Sequence, residues 1–257
     1  YHKYREESSM YINDIHILAY VAIGILGLII GQLIDWCNKR LPDEKKVFSK
    51  ELFTEYFKHF KPNYLLMIIT AIMYVGLLYN FNFSVDLAKY LVLTPMLLSA
   101  FCIDLKLQII PNRLNLTMFE AGLFFTFLSV ILNTSIGINT FIDNLLGMLI
   151  GGGIFLLITL IGGFVAGKEA MGFGDVKLMG ALGLFLGWLN IIIVSVLAFL
   201  FAAVISIGIL IFRKKKFNEY IPFGPFIVAS TLVVIFMPPE LLLTMVLKIF
   251  TLGMYQG

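Results

Sequence analysis

Two aspartates, Asp104 and Asp175, are the residues whose type and surroundings could do chemistry. Asp175 lies in the segment MGFGDVKLMG, residues 171–180, after Gly172 and Gly174 and before an apolar run. A carboxylate at the mouth of an apolar helix is costly, and such residues in membrane proteins are more often functional than incidental. Because glycine has no Cβ, the two glycines allow backbone to come close to whatever Asp175 acts on.

Asp104 is the natural partner of Asp175. It stands at the end of an apolar run in SAFCIDLKLQIIPNRL, where Pro111 closes the loop before the next helix. Two carboxyl groups held close together cannot both ionise easily, so one keeps a proton while the other stays charged. Such a pair can take a proton from water and give one to a carbonyl oxygen, as peptide hydrolysis without a metal requires. We therefore predict that Asp104 and Asp175 form a catalytic dyad that titrates as a unit.

Taken alone, each of these residues also has a structural interpretation. Asp175 could cap a helix N-terminus and complement its dipole. Asp104 could be a solvated acid at a helix end. Lys177 could hold substrate or tune the dyad, or it could anchor the helix on the positively charged side of a membrane.

The composition predicts an all-α polytopic membrane protein. Of the 257 residues, 60% are hydrophobic and 14% are charged, and the mean hydropathy is +0.93, whereas soluble domains have roughly a quarter charged residues. The net charge of +3 is too small to indicate a nucleic-acid partner. Cys37 and Cys102 are too few for a disulfide framework or a four-thiolate zinc site, so we predict no metal.

About eight transmembrane helices are expected, since a span needs roughly twenty apolar residues. A run of about 37 residues would form a helix of roughly 55 Å, so we divide it near Trp188 and Asn190. Pro238 and Pro239 must break the last segment. The expected spans are residues 15–34, 64–79, 87–103, 114–132 and 141–165, two within 176–212, and 223–250.

The predicted domains follow from these spans. Residues 1–14 form an N-terminal segment outside the cytoplasm. Residues 1–9 are excluded from the fold prediction as a trimmed terminus or an added segment. Residues 15–34 form the first span, 35–63 a cytoplasmic loop, and 64–257 a membrane-embedded domain. In that loop, residues 47–60 place aromatic and charged side chains on opposite faces and predict an amphipathic helix lying on the membrane. Glycines at 24, 27 and 31, 151–153, and 162–163 suit close helix packing.

Lysine and arginine predict the orientation. Fifteen of the nineteen lie in every second connection between spans. By the positive-inside rule these connections are cytoplasmic and both termini lie outside. Asp104 and Asp175 then fall on the same, cytoplasmic side.

Four segments, in order along the chain, resemble the type IV prepilin peptidases, membrane aspartic proteases of bacteria. MGFGDVKLMGALG resembles their GxGD signature, and Asp104 with Ile110, Pro111 and Asn112 resembles their first aspartate and the element that follows it. The other two are Gly31 with Asn38, Arg40, Leu41 and Pro42, and IPFGPF at residues 221–226.

The resemblance implies cleavage, at the cytoplasmic face of the bacterial inner membrane, of the basic leader of type IV prepilins or pseudopilins. It implies Asp104 and Asp175 as catalytic residues and Gly172, Gly174, Lys177, Pro111 and Asn112 as substrate-binding residues. Many members also methylate the new amino terminus with S-adenosylmethionine. Larger members carry two CxxC pairs with zinc-site spacing in the first cytoplasmic loop, but this loop has only Cys37.

Two alternatives stay open. A presenilin-like protease would also carry GxGD, but this chain has no Pro-Ala-Leu element. A proton-coupled transporter could use the two aspartates as a relay, but it predicts acids near mid-membrane and an internal repeat. The lipid bilayer is an expected partner, whereas the oligomeric state is not predicted.

Overall fold

The computed structural model of the protein describes residues 11–13, 15–47, 61–132, 137–166, 171–213 and 221–251. Within these residues, two short strands precede eight helices. The predicted amphipathic helix over 47–60 falls almost wholly outside the described residues, as do residues 1–9. The elements are β1 (Tyr11–Ile12), β2 (Ile15–His16), α1 (Ile17–Arg40), α2 (Tyr64–Phe81), α3 (Val85–Leu107), α4 (Asn112–Leu132), α5 (Gly137–Ala166), α6 (Phe173–Arg213), α7 (Gly224–Phe236) and α8 (Pro239–Phe250).

The helices confirm the all-α polytopic membrane class. In the part of the chain that the structure describes, six helices, α1 to α6, are long and apolar enough to cross a membrane, and α7 is a shorter apolar helix. A helix satisfies all of its backbone hydrogen bonds internally, which lipid requires. The count of eight spans stays a prediction.

Both predicted interruptions of the long apolar runs are present. The backbone of α6 is non-helical at Gly187, where φ is 79° and ψ is 175°, one residue before the predicted position. Glycine takes this positive φ without a steric penalty. The N–H of Trp188, which begins the second half of α6, donates to Oδ1 of Asp143 at 3.4 Å. The last run breaks between α7 and α8, where Met237 is extended before Pro238.

Two helices extend further than their apolar runs predict. The first continues to Arg40 instead of ending at residue 34, and α3 continues to Leu107 instead of ending at residue 103. The polar last turns keep the helical hydrogen-bond pattern, since Leu41 N–H donates to the carbonyl of Cys37 at 2.9 Å. Hydrophobicity predicts where a helix is buried in lipid, not where its hydrogen bonding stops.

The chain divides into two units, Tyr1–Ser99 and Ala100–Gly257. In the first unit, β1 pairs antiparallel with β2, and α1 packs against α2. A Cβ at Gly27 or Gly31 would lie 2.6 Å from the backbone of Ala71 or Leu66, respectively. Only glycine allows the two helices to approach this closely, as the sequence predicts for these glycines.

The second unit is built around the packing of α5 against α6. A Cβ at Gly151 would lie 2.7 Å from the Met179 carbonyl oxygen, and one at Gly183 would overlap the backbone of Gly147. Gly151 therefore has its predicted packing role, whereas a Cβ at Gly153 would meet no described residue within 4 Å.

Candidate active site

Asp104 lies in the last turn of α3 and is 4% exposed. The N–H of Gly224, the first residue of α7, donates to its Oδ2 at 2.9 Å. The carboxylate of Asp104 thus caps α7, where Phe223 makes no side-chain cap hydrogen bond. A negative charge at a helix N-terminus is stabilised by the unpaired N–H groups and the helix dipole.

The connection from α3 to α4 has a defined backbone. The N–H of Gln108 donates to the Asp104 carbonyl at 2.9 Å, and Gln108 itself has φ of 56°. Pro111 then starts the next helix, since its carbonyl accepts the N–H groups of Leu114 at 3.0 Å and Asn115 at 3.2 Å. The segment therefore turns sharply after Asp104. This turn places Ile110 close to Gly174 and Gly224.

Asp175 lies in the first turn of α6 and is 5% exposed. Its N–H donates to the carbonyl of Gly172 at 3.0 Å, which closes the turn that leads into the helix. The carboxyl group of Asp104 is near enough to act electrostatically on that of Asp175. The structure thus brings together two buried carboxyl groups that are 71 residues apart in the sequence. Their catalytic role stays a prediction.

Ile110 lies next to both Gly174 and Gly224. Its Cβ would lie 3.2 Å from a Cβ at Gly174, and its Cδ1 would lie 3.3 Å from a Cβ at Gly224. Ile110 of the same chain therefore occupies the position that a side chain at residue 174 would take, and the contact of Gly174 with substrate stays a prediction. Ile110 lies there because the connection between α3 and α4 folds back toward Gly174. Among the described residues, a Cβ at Gly172 would meet only Asp175 Oδ2, at 3.7 Å, and the Gly174 nitrogen, at 3.9 Å.

Two of the other predicted site residues, Lys177 and Asn112, contact each other. Lys177 is exposed, and its Nζ donates to Oδ1 of Asn112 at 2.7 Å. Pro111 is buried next to Asn112, which begins α4. The proposed contact of these residues with substrate stays a prediction.

Sequence reasoning missed two residues that shape this site. Gly224 holds Asp104 through its backbone, and Asn115 donates from Nδ2 to the carbonyl of Gly174 at 3.1 Å. The resemblance of IPFGPF drew attention to the neighbourhood of Gly224 but not to its partner. Asn115 carries no sequence signal of its own, since a lone asparagine in an apolar helix has many structural roles.

A groove of about 560 Å³ runs beside the site between α4, α5 and α6. Its residues are Asn112, Asn115, Leu116 and Phe119 from α4, Met148 and Gly152 from α5, and Lys177, Gly180 and Ala181 from α6. Its volume is within the range of about 300–1,000 Å³ that is typical of ligand sites. Its polar side chains lie at one end, where α4 and α6 begin.

No group of three or more His, Cys, Asp or Glu side chains that could hold a metal ion occurs among the described residues. The functional groups that the described site presents are therefore two carboxyl groups, backbone N–H groups, amides and one amine. These groups can move protons and orient a polar backbone, as general acid–base catalysis requires.

Comparison with known proteins places this site in a family. Residues 91–207, which contain both aspartates, match the model of the type IV leader peptidase family. Leader peptidase HopD of Escherichia coli is 33% identical over 132 residues, which cover 51% of this chain and 81% of the relative. The prepilin leader peptidase/N-methyltransferase of Aeromonas hydrophila is 32% identical over 165 residues, which cover 63% of this chain and 54% of the relative.

A protein of the same description from Legionella pneumophila is 28% identical over 168 residues, 65% of this chain and 56% of the relative. The chain thus spans little more than half the length of these two prepilin leader peptidase/N-methyltransferases. No solved structure matches it.

Proposed function

Because the chain belongs to the type IV leader peptidase family, we propose that it is a membrane aspartic endopeptidase. It removes the basic leader of type IV prepilins or pseudopilins at the cytoplasmic face of the bacterial inner membrane. The observation that supports this activity is the pair of buried carboxyl groups, Asp104 and Asp175, at one site in the second unit.

The two carboxyl groups differ in their surroundings, and this difference supports separate roles for them. Asp104 accepts the Gly224 N–H and lies at the N-terminus of α7, and both contacts favour a negative charge. We therefore assign the charge of the resting pair to Asp104 and the shared proton to Asp175.

Hydrolysis then follows from this assignment. Asp104 takes a proton from water as the water oxygen bonds to the scissile carbonyl carbon, and Asp175 gives its proton to the carbonyl oxygen. When the C–N bond breaks, Asp104 returns its proton to the leaving amine. The hydroxyl derived from the carbonyl oxygen returns its proton to Asp175. The products are the free acid of the leader and the free amine of the mature chain, and the pair is regenerated.

The names of two relatives include an N-methyltransferase activity. S-adenosylmethionine carries a sulfonium cation, and the groove beside the dyad does not fit it. Lys177 lies at the polar end of this groove, and none of its lining residues is acidic. We therefore propose no methyl transfer in this groove.

The activity is tested by incubating membranes that contain the protein with a prepilin-type precursor. Wild type should release a product shorter by the length of the leader. Asp104→Asn and Asp175→Asn should abolish this product, because an amide cannot replace either carboxyl group in proton transfer. Glu120→Gln is the control, since Glu120 is an exposed acid on α4 in the same unit.

Normal cleavage by either site variant would refute the dyad. A precursor left uncut by wild type would refute the peptidase itself and would favour the transporter alternative.

A further inference from the structure

The groove between α4, α5 and α6 contains a buried polar atom with no partner. Asn115 lines the groove and is 3% exposed. Its Nδ2 donates to the Gly174 carbonyl, but no hydrogen bond reaches its Oδ1 from any described residue. An unpaired buried acceptor costs about 1–3 kcal/mol, so this oxygen indicates a missing donor.

Beyond this atom the groove is apolar. Leu116, Phe119, Met148 and Ala181 line it, and Leu116 is 57% exposed, so the groove can be reached from the surface of the unit. It begins beside Gly174, which immediately precedes Asp175, and it follows α4 and α6 inward from their first turns. A chain in this groove would therefore have one end at the dyad and its length among apolar side chains.

The charge at the groove's polar end selects which part of a substrate fits. Lys177 lines this end, and Arg113 is exposed on the first turn of α4. Like charges disfavour a basic leader in this position. A precursor segment with apolar side chains on the other side of the cut would match the lining.

The start of an apolar helix supplies the missing donor. The first four N–H groups of any helix have no partner within the helix, and an unpaired N–H in lipid is costly. Asn115 Oδ1 is an acceptor placed next to the catalytic motif, where the first turn of such a helix would lie.

We propose that this groove binds the apolar segment immediately after the cut, and that Asn115 Oδ1 accepts a backbone N–H from its first turn. This inference rests on the proposed peptidase function. It makes Asn115 a positioning residue that sets where the precursor is cut.

Site-specific photo-cross-linking tests the occupant. A photoreactive phenylalanine analogue replaces Leu116 in the full chain carrying Asp175→Asn, and the bound precursor is mapped by mass spectrometry. Phe124 is the control position, since it lies on the same helix and is 60% exposed but does not line the groove. We expect cross-links from position 116, but not from 124, to the first residues of the apolar segment. Cross-links to the leader, or none, would overturn the inference.

Ester substitution tests the role of Asn115. Synthetic precursors carry an ester in place of one amide at successive positions after the cut, which removes a single N–H. For wild type, one position should lower kcat/KM about three- to tenfold, the size of one hydrogen bond. Asn115→Leu should show no further loss at that position. An equal loss in both proteins would mean that Asn115 only supports the fold.

Cleavage of the unmodified precursor by the protein with both aspartates is measured in parallel. If this cleavage occurs without the expected cross-link or coupling, the groove assignment fails and the peptidase function stands. If it does not occur, both fail.

Discussion

The backbone of Gly224 allows a direct test of how Asp104 is held. A Cβ added at Gly224 would lie 2.5 Å from Asp104 Oδ2, 3.1 Å from its Cγ and 3.3 Å from Ile110 Cδ1. Ordinary contacts of this kind are longer than about 3.4 Å, so Gly224→Ala must displace the carboxylate by roughly 1 Å. The displacement lengthens or breaks the 2.9 Å hydrogen bond from the Gly224 N–H.

The expected loss follows from that displacement. A hydrogen bond to a charged group contributes about 1.5–3 kcal/mol, and a misplacement of about 1 Å at a catalytic group costs about 100-fold in rate. We therefore expect kcat/KM for precursor cleavage to fall roughly 100-fold in Gly224→Ala. Purified protein in detergent and a synthetic precursor peptide are sufficient for the measurement.

A control separates this effect from a general loss of folding. In Gly153→Ala the new methyl group meets nothing within 4 Å in the part of the chain that the structure describes, so activity should stay within about twofold of wild type. Alanine is also favoured over glycine inside a helix. Thermal unfolding of both variants is compared. If Gly224→Ala cleaves as fast as Gly153→Ala, Asp104 does not depend on the α7 N-terminus, and our assignment of the charge is wrong.

Three further predictions concern helix packing, capping and the proton of the dyad. Gly183→Ala places a methyl group against the backbone of Gly147 and should lower the free energy of unfolding by about 1–3 kcal/mol. Gly208→Ala is the control, since its methyl group would meet no described residue within 4 Å and should leave the free energy of unfolding unchanged. Equal unfolding temperatures of the two variants would contradict this account of how α5 packs against α6. Asp143→Ala removes the acceptor of the Trp188 N–H and should cost about 1 kcal/mol of stability without changing kcat; a selective loss of kcat would show a catalytic role instead. The rate of cleavage should rise and then fall with pH, since one proton must be shared by the two carboxyl groups; a rate that changes in one direction across the range would exclude a dyad.

The sequence was sufficient to pair the two aspartates and to locate the interruptions of the two long apolar runs. Each of these features carries a large energetic cost that can be recognised from the local sequence. A carboxyl group in an apolar run needs a reason to be there, and two prolines cannot continue a helix. The length limit of a span placed the other break next to Gly187, where the positive φ is found. These features come from hydrophobicity, residue geometry and charge, which can be read along the chain.

The contacts between distant segments could not be predicted in the same way. Asp104 and Gly224 are 120 residues apart in the sequence. Nearly every residue type has a backbone N–H, so the type of residue does not indicate which N–H group will bind a side chain. Gly172 and Gly174 predicted a close approach of backbone to Asp175, but not that Ile110 would lie 3.2 Å from a Cβ at Gly174. Packing decides whether a substrate or another part of the same chain lies against a glycine. A single sequence does not determine that packing.

Asp104 has two roles in this structure, and they can be separated. As a cap it needs only an oxygen that accepts the Gly224 N–H, whereas as a catalyst it needs a carboxylate that can take a proton. Asparagine retains the first property and loses the second, so Asp104→Asn should keep the capping contact while abolishing cleavage. Alanine removes both. A loss of α7 stability in Asp104→Ala that is absent in Asp104→Asn would show that the side chain at position 104 holds the N-terminus of α7 independently of its role in proton transfer.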